Sequence, residues 1–445
     1  MNKFAFAFIG VFASFIAFGQ GGNFSLAEAQ QYAVDNAYSV LNNKLEYEKS
    51  KKVLLENIAQ GLPQVFANAD WTQNINLQAF VTQDANGNPQ RLVVGTPYLA
   101  GGTISGEQLI FDGSYIVAVM ASTVLKENAE NEIEKSEIDI KEQVAKAYHL
   151  VLVADKSLEI VRENMVFIEK NYKESKRMFE VGFMEETDVD QLELILANLS
   201  NQADYLEKQA KIARMMLKFN MGIDVKETIS LKDDVETLMV FSQDGESILN
   251  TSFELTNHID YRILETQERG QHLNLKNENM AFVPKLKMNY LYQHNVMSGT
   301  GSIWGGTENI DYTNVITQNF GFNLSVPIMT GGSRYARVQQ AKINVAQIDI
   351  AKKQLNDNLL LQYETAKAEY SYALNSYNTQ MKNQQIAKKI RDVSSRKFAE
   401  GIISSIEFTQ TQNQYQDALS SVIDAANNVL DKKVQLEKII GKYNN

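Results

Sequence analysis

The chain contains no cysteine, and this absence excludes several kinds of functional site. Without thiols there is no disulfide scaffold, no cysteine-ligated zinc or iron–sulfur centre and no thiol nucleophile. The chain also lacks the cysteine on which bacterial lipoproteins carry their N-terminal lipid anchor. We therefore expect a protein that is not lipidated.

Positive charge is in the minority, because 43 Lys and Arg stand against 54 Asp and Glu and the net charge is −11. Nucleic-acid binding needs clustered positive charge, so nucleic acid is not an expected partner. The 4 histidines do not occur at metal-binding spacing, and there is neither a Walker-type phosphate loop nor a nucleophile elbow. We expect no enzyme activity, no cofactor and no metal site.

Proline is rare, with 5 in 445 residues, and two long stretches contain neither proline nor glycine. They lie between Gly113 and Gly182 and between Gly332 and Gly401. Each stretch predicts one helix of roughly 100 Å, because both residue types disfavour helix interiors. Shorter helices are predicted at about 25–60 and 249–282, each closed by a proline. Residues recurring every seventh position predict coiled-coil packing. The seams are Val144, Val151, Leu158, Met165, Tyr172 and Phe179, with Tyr363, Tyr370 and Tyr377 in the second half.

The first 20 residues combine Lys3 with an almost wholly apolar run from Phe4 to Phe18. This pattern is typical of a secretory signal peptide that is cleaved after export. A membrane anchor is the alternative, but the run is shorter than the ~20 apolar residues of a spanning helix. No later run is long enough, so we expect a mature chain that is periplasmic, secreted or inserted as β-strands.

The two halves of the chain repeat one another at a spacing of about 220 residues, far longer than a solenoid repeat. Asn36 and Pro63 recur as Asn257 and Pro284, which makes each half a whole structural unit. The predicted organisation is a signal peptide (1–20), a first repeat (21–222), a linker (223–248), a second repeat (249–441) and a tail (442–445).

Each half also contains two segments in which apolar and polar residues alternate, as in half-buried strands. These strands are predicted at about 64–82 and 102–111, and at about 285–297 and 317–329. In a membrane every backbone group must be paired, so such a sheet has to close. Four strands are too few, two chains would give eight, and three would give twelve strands with a lumen. A soluble β-sandwich carrying long coiled coils is the alternative.

Three kinds of motif occur twice in the chain. They are Leu62-Pro63 and Val283-Pro284, the turns Phe111-Asp112-Gly113 and Met329-Thr330-Gly331-Gly332, and two Arg-x-Phe-x-x-Gly motifs, which begin at Arg177 and Arg396. These doubled motifs resemble the TolC-type outer-membrane efflux channel family. The resemblance implies a mixed all-α and transmembrane β fold. In it a long coiled-coil helical barrel is joined to a β-barrel to which each chain gives four strands.

The resemblance further implies a function and partners. It indicates a homotrimer in the outer membrane, extending into the periplasm and in contact with outer-membrane lipid. The trimer would be the exit duct of a tripartite efflux or type I secretion system. Its partners would be a periplasmic adaptor (membrane fusion protein) and an inner-membrane pump. The alternative is a periplasmic coiled-coil structural or adaptor protein that forms no pore.

Two sets of site residues follow from the family's motifs. The turns would be periplasmic tips that dock the adaptor, and the helix after the second tip would line the closed entrance. The tip residues are Arg177, Phe179, Val181, Gly182, Phe183, Arg396, Phe398, Gly401 and Ile402. The gate residues are Glu407 and Gln410, with Asp188 and Gln191 at the equivalent positions of the first repeat. The family has two acids at the gate, whereas only Glu407 is acidic here, and a solvated helix-face carboxylate is the alternative for it.

Overall fold

The computed structural model describes residues 22–235, 238, 246–251, 253–299 and 312–444. The predicted signal peptide lies outside the described residues. The chain divides into two compact units. The helical unit contains the described residues of Met1–Lys44, Glu132–Tyr261 and Leu355–Asn445, and the sheet unit contains those of Leu45–Asn131 and Arg262–Gln354.

The elements of the first repeat are two-residue strand β1 (Asn23–Phe24), α1 (Leu26–Asn36), α2 (Tyr38–Ala59), β2 (Gln64–Gln73), β3 (Gln78–Gln83), β4 (Pro89–Val94), β5 (Tyr98–Phe111), α3 (Gly113–Glu180) and α4 (Glu186–Met221). The linker and second repeat contain β6 (Ser230–Leu231), α5 (Glu246–Leu249), a 3₁₀ turn (Leu255–Asn257), α6 (Ile259–Met280), β7 (Lys285–Ser298), β8 (Tyr312–Ser325), α7 (Ser333–Ala399) and α8 (Ser405–Ile439). Helices α3 and α7 have 68 and 67 residues, so the two long helices are confirmed. None of the helices in the described part of the chain has the length and hydropathy that a membrane span requires.

The duplication is visible in the element boundaries. Helices α2 and α6 each have 22 residues and begin at Tyr38 and Ile259, a step of 221 positions. Helices α4 and α8 begin at Glu186 and Ser405, a step of 219 positions. Because paired elements begin at the spacing of the sequence repeat, the two halves have the same local fold.

Strands β2, β5, β7 and β8 form one antiparallel sheet in that order. The prediction that the chain provides four long strands is confirmed. The central β5–β7 pair joins the two repeats, so the two hairpins form one sheet rather than two separate ribbons. Within the described residues, β2 and β8 are the edges of this sheet, and each has a neighbour on one side only.

The prediction of one continuous strand at 64–82 was wrong, because β2 ends at Gln73 and β3 begins at Gln78. Asn74 marks the break. Its N–H donates to Pro97 O at 2.7 Å, and its side-chain amide donates to Thr96 O at 2.9 Å. These bonds replace the regular ladder and end the alternation. The segment that follows forms a separate hairpin, β3–β4.

The two return strands also differ from their predicted bounds. Strand β5 begins at Tyr98, not at 102, and contains Gly101 in its interior. A Cβ at Gly101 would lie 2.9 Å from Asp70 Oδ1 and 2.8 Å from Asn295 Oδ1, so this glycine makes room for side chains from both neighbouring strands. Strand β8 covers Tyr312–Ser325 rather than 317–329. It ends two residues before Pro327, which has no N–H for the ladder.

The predicted helix at 25–60 is interrupted at Ala37, which is buried and extended (φ −64°, ψ 137°). The equivalent residue of the second repeat, His258, is also extended, so α6 begins at Ile259 and not near 249. A later part of the chain contacts each break, the end of the first repeat in one case and the tail in the other. Gly222 lies against the Asn36 carbonyl, and the Asn444 side chain donates to Asn257 O at 2.8 Å.

The predicted seams hold the helical unit together. The linker and the tail, which the sequence indicated were only connecting segments, also pack against it. Val144, Val151 and Tyr370 are fully buried. In the linker, β6 pairs in parallel with β1. Asp233 accepts a hydrogen bond from Tyr148 Oη at 2.8 Å. The described tail is docked as well, because Tyr443 Oη donates to Glu437 Oε2 at 3.0 Å.

An ion network joins α3 to α8. Lys438 Nζ lies 2.7 Å from both Asp139 Oδ1 and Glu142 Oε2, and Lys146 Nζ lies 2.8 Å from Glu142 Oε1. Burial by itself would raise the pKa of Glu142, but the hydrogen bonds from Lys146 and Lys438 outweigh it. The pKa therefore lies below the ordinary value of 4.5.

This network predicts a pH dependence. A carboxyl whose pKa is lowered by folding stabilises the protein above its unfolded pKa, and this stability is lost as the pH falls through the folded pKa. We expect the free energy of unfolding to decrease as the pH is lowered from about 4.5. Glu142→Gln should flatten that slope and cost about 1–2 kcal/mol at pH 7. Glu159→Gln in the exposed Lys156 pair is the matched control, and urea titrations across this pH range compare the two. Equal slopes in both variants would contradict the expectation.

Candidate functional site

The register of the four-stranded sheet shows which residues share each of its two faces. One cross-strand row consists of Val65, Gly106, Tyr290 and Phe320. A row on the opposite face consists of Asn68, Thr103, Gln293 and Thr317. Side chains alternate between the faces of a strand, so every strand contributes to both rows. The first row is apolar apart from the Tyr290 hydroxyl and the second is polar, as the predicted alternation requires at these positions. The alternation is not complete, because Phe66 and Leu291 lie on the second face and His294 and Gln318 lie on the first.

Charged groups occur on the polar face. Lys287 Nζ lies 3.5 Å from Glu107 Oε2. Asp70 and Asn295 flank Gly101, as described above. Sequence reasoning missed the grouping of Asp70 and Asn295 because Gly101, which lies between them, was assigned to a loop. A glycine between two alternating segments is the available signal, since it marks a close approach of neighbouring groups within a strand.

The turns predicted as tips have the same backbone geometry in both repeats. Gly182 has φ +83°, its N–H donates to Phe179 O at 2.9 Å, and the N–H of Phe183 donates to Met178 O at 2.8 Å. Gly401 has φ +71°. Its N–H donates to Phe398 O and the N–H of Ile402 donates to Lys397 O, as in the first turn. Both are Schellman motifs, in which glycine adopts the left-handed conformation after the last helical residue.

The side chains of the two tips differ. In the first tip Phe179, Val181 and Phe183 are exposed by 40%, 67% and 81%. In the second tip Phe398 is only 3% exposed, because it stacks on Phe408 with ring centroids 5.1 Å apart. Ile402 remains exposed there, as do Arg177 and Arg396 in their respective turns. The two tips therefore present unequal apolar surfaces.

The predicted gate residues lie at the start of α4 and α8. Glu407 and Gln410 are exposed on the first turns of α8, whose N-cap Ser404 accepts the Glu407 N–H at 3.3 Å. Asp188 and Gln191 are half-buried on α4. Thr409 Oγ1 lies 3.4 Å from Gln191 Oε1, so the structure brings Gln191 to α8 and leaves Glu407 on the exposed side.

Sequence reasoning missed a set of buried polar side chains on α3, α7 and α8. The Arg391 guanidinium lies between two rings, 4.3 Å from Phe167 and 4.0 Å from Tyr415, and the residue is 7% exposed. Between α8 and α3 the buried Gln412 amide donates to Asn164 Oδ1 at 2.9 Å. The available signal was a polar heptad position, since Asn164 and Asn171 stand seven apart on α3. Polar groups at such positions can fix the register of packed helices.

The comparisons with known proteins agree with this geometry. Residues 274–442 match the model of the family described as outer membrane efflux protein. No curated protein gives a significant sequence match. Among solved structures, CusC superposes with a TM-score of 0.72 at 14% identity, covering 96% of this chain and 95% of CusC.

Two further structures give similar values. VceC from Vibrio cholerae, described as an outer membrane protein, has a TM-score of 0.68 at 12% identity and covers 94% of this chain and 96% of its own. The open-state MtrE outer membrane channel of Neisseria gonorrhoeae has a TM-score of 0.70 at 14% identity and covers 94% and 88%. Residues 274–442 are thus similar to the outer membrane efflux protein family, and the chain as a whole has the fold of the TolC-like outer-membrane channels.

Proposed function

We propose that this protein is a passive outer-membrane channel, a homotrimer that serves as the exit duct of a tripartite efflux or type I secretion system. The observation that carries the proposal is the open antiparallel sheet of four strands, which has an apolar row of side chains on one face and a polar row on the other. Such a sheet suits lipid on one side and water on the other. Its two unpaired edges call for closure, because unpaired backbone groups in lipid each cost several kcal/mol.

The sheet can close by repetition of the chain. Strands β2 and β8 run in opposite directions, because three antiparallel pairings separate them. The β8 edge of one copy can therefore pair antiparallel with the β2 edge of the next. Three copies give twelve strands, a number that leaves a water-filled lumen, whereas eight strands are filled by side chains.

The helical unit also has a surface that suits further copies. On α4 the side chains of Tyr205, Ile212 and Phe219 are seven apart and exposed by 61%, 50% and 61%. Exposed apolar residues with a seven-residue period are typical of a helix that packs against another helix. In the proposed trimer this stripe is covered by a neighbouring copy.

The proposed channel also has partners and a location in the cell. The exposed apolar residues of the first tip, Val181 and Phe183, are the proposed contact with a periplasmic adaptor that links the channel to an inner-membrane pump. The chain reaches the outer membrane after cleavage of its signal peptide, and the absence of cysteine leaves it without a lipid anchor. The duct extends into the periplasm.

Mass and conductance test this proposal together. Native mass spectrometry of the detergent-extracted protein should give three chains per particle, and planar bilayers should show stable ion-conducting steps. A monomer or dimer would contradict the trimer. A protein that is extracted without detergent and gives no conductance would instead support the periplasmic coiled-coil alternative.

The gate prediction concerns ion selectivity. In a trimer Glu407 becomes three carboxylates around one axis, and charged rings of this kind attract cations. We expect Glu407→Gln to lower the cation preference in planar bilayers, measured as the reversal potential under a salt gradient. Glu185→Gln, an exposed carboxylate before α4, is the matched control and should change it less. An unchanged reversal potential in Glu407→Gln would assign this carboxylate to the outer, solvated face.

A further inference from the structure

The Asp, Glu and Lys side chains of the four-stranded sheet all lie on one face. On its strands these residues are Asp70 (β2), Glu107 (β5), Lys285 and Lys287 (β7), and there is no Arg. The register places each of them on the face of Asn68, at an even number of residues from its polar row. A charge is costly in lipid, so this is the face that meets water in the proposed channel.

Three of these charges are neutralised by a nearby opposite charge. Lys285 Nζ lies 2.8 Å from Asp112 Oδ2, and Lys287 Nζ lies 3.5 Å from Glu107 Oε2. Within the part of the chain that the structure describes, the Asp70 carboxylate has neither an ion pair nor a hydrogen bond. Of the charged residues on the described strands, Asp70 is thus the one that keeps its full charge.

The Asp70 carboxylate lies beside a gap in this face. Asp70 pairs with Gly101, which pairs in turn with Asn295 on the next strand. A Cβ at Gly101 would lie 2.9 and 3.1 Å from the two Asp70 carboxylate oxygens and 2.8 Å from Asn295 Oδ1. Because glycine has no Cβ, the oxygen atoms of two side chains surround an open space. Oxygen atoms are the ligands that hard cations prefer, so this position favours a cation over an anion.

Closure of the sheet would leave Asp70 charged. Strand β2 is an edge of the sheet, and in the proposed trimer it pairs with β8 of the next copy. Strand β8 (Tyr312–Ser325) contains no Asp, Glu, Lys or Arg. The pairing strand therefore brings no opposite charge, and three-fold symmetry would place three Asp70 carboxylates at one height of the lumen.

We propose that Asp70 is a selectivity-determining residue of the channel, which attracts cations into the lumen of the sheet and disfavours anions. The inference rests on the proposed trimeric channel. It adds to Glu407 a second position, which lies on the sheet unit rather than on the helical unit. Rings of carboxylates give other channels a preference for cations. Since an exposed charge acts through water, its effect depends on salt, and the Debye length is about 30 Å at 0.01 M and about 3 Å at 1 M.

Reversal potentials of the purified channel in planar bilayers test this assignment. Asp70→Asn removes the charge and keeps the size of the side chain. We expect it roughly to halve the cation-to-anion permeability ratio at about 0.01 M salt and to leave the ratio unchanged at about 1 M, where the charge is screened. Asp84→Asn is the matched control and should change the ratio less, because the Asp84 carboxylate is held by the N–H groups of the β3–β4 turn.

Restoring the charge separates an electrostatic role of Asp70 from a structural one. The chain has no native cysteine, so Asp70→Cys places a single thiol at this position. A water-soluble methanethiosulfonate reagent with a negative charge should react with this thiol and bring back the cation preference. A reagent of the same class with a positive charge should lower the preference further.

The remaining results each overturn one hypothesis. An unchanged permeability ratio in Asp70→Asn at low salt, or equal changes in Asp70→Asn and Asp84→Asn, refutes the role of Asp70. Reagents of either charge that leave Asp70→Cys channels unaltered refute it as well, since a residue that faces the lumen is open to water. These results, obtained from a conducting trimer in native mass spectrometry, refute this inference alone. The absence of a trimer or of conductance refutes the proposed function.

Discussion

Replacing Phe408 with alanine should lower the free energy of unfolding by about 3–5 kcal/mol, the usual cost of removing a buried phenylalanine. Phe408 is fully buried in a cluster that includes Leu192, Ile168 and Phe398. It stacks on Phe398 with an interplanar angle of 6°, so alanine would leave a cavity between α7 and α8 and expose the second ring. Urea unfolding of the full chain, followed by circular dichroism, gives the change.

Ile406 provides the matched control, because it lies two residues away on the same helix and is 67% exposed. Ile406→Ala should cost less than about 1 kcal/mol, as surface substitutions usually do. Hydrogen exchange at the second tip adds a local measurement, since opening of this cluster should raise exchange around Gly401. Similar losses in both variants would mean that the stacked pair does not hold the tip together.

Gly222→Ala is expected to have an effect of comparable size, about 2–5 kcal/mol, for two reasons that add. Gly222 has φ +76°, which an alanine adopts only at a cost of about 1–2 kcal/mol. An added Cβ would also lie 2.3 Å from the Asn36 carbonyl oxygen, and backbone cannot easily move away. We expect a lower unfolding midpoint and a disturbed junction between α1 and α2.

Gly182 is the control for this substitution, because it has the same left-handed backbone conformation but no close contact like that of Gly222 with Asn36. Gly182 has φ +83°, and a Cβ there would meet nothing within 4 Å. Gly182→Ala should therefore show the conformational cost alone, about 1–2 kcal/mol. If both variants lose the same stability, the contact of Gly222 with Asn36 does not contribute. The difference between them isolates the close approach.

Several parts of the fold could be predicted because they depend on local chemistry. The long helices α3 and α7 follow from the absence of proline and glycine, and the glycines that end them follow from the need for a positive φ. The seam residues Val144 and Val151 were predicted to be buried because a seven-residue period leaves one side of a helix apolar. The sequence repeat of about 220 residues was also predicted, and α2 and α6 begin 221 positions apart.

Other parts were decided by contacts between distant segments. The break at Ala37 lies where Gly222 reaches the Asn36 carbonyl, a contact 186 positions apart in the chain. The interior position of Gly101 in β5 depends on Asp70 and Asn295, which come from two different strands. The buried site of Arg391 depends on Phe167 and Tyr415, which come from two other helices. No periodicity in the sequence records which partners these residues meet.

The sequence by itself thus determined the type, order and duplication of the elements, since periodicity, turn residues and the scarcity of glycine and proline act on neighbours along the chain. Only the tertiary structure decided that β5 and β7 join the repeats into one sheet and that Phe398 is buried while its counterpart Phe179 is exposed. The physical reason is that burial and register depend on what packs opposite a residue. Phe179 and Phe398 occupy the same position in the same motif and differ because the ring of Phe408 covers only the second.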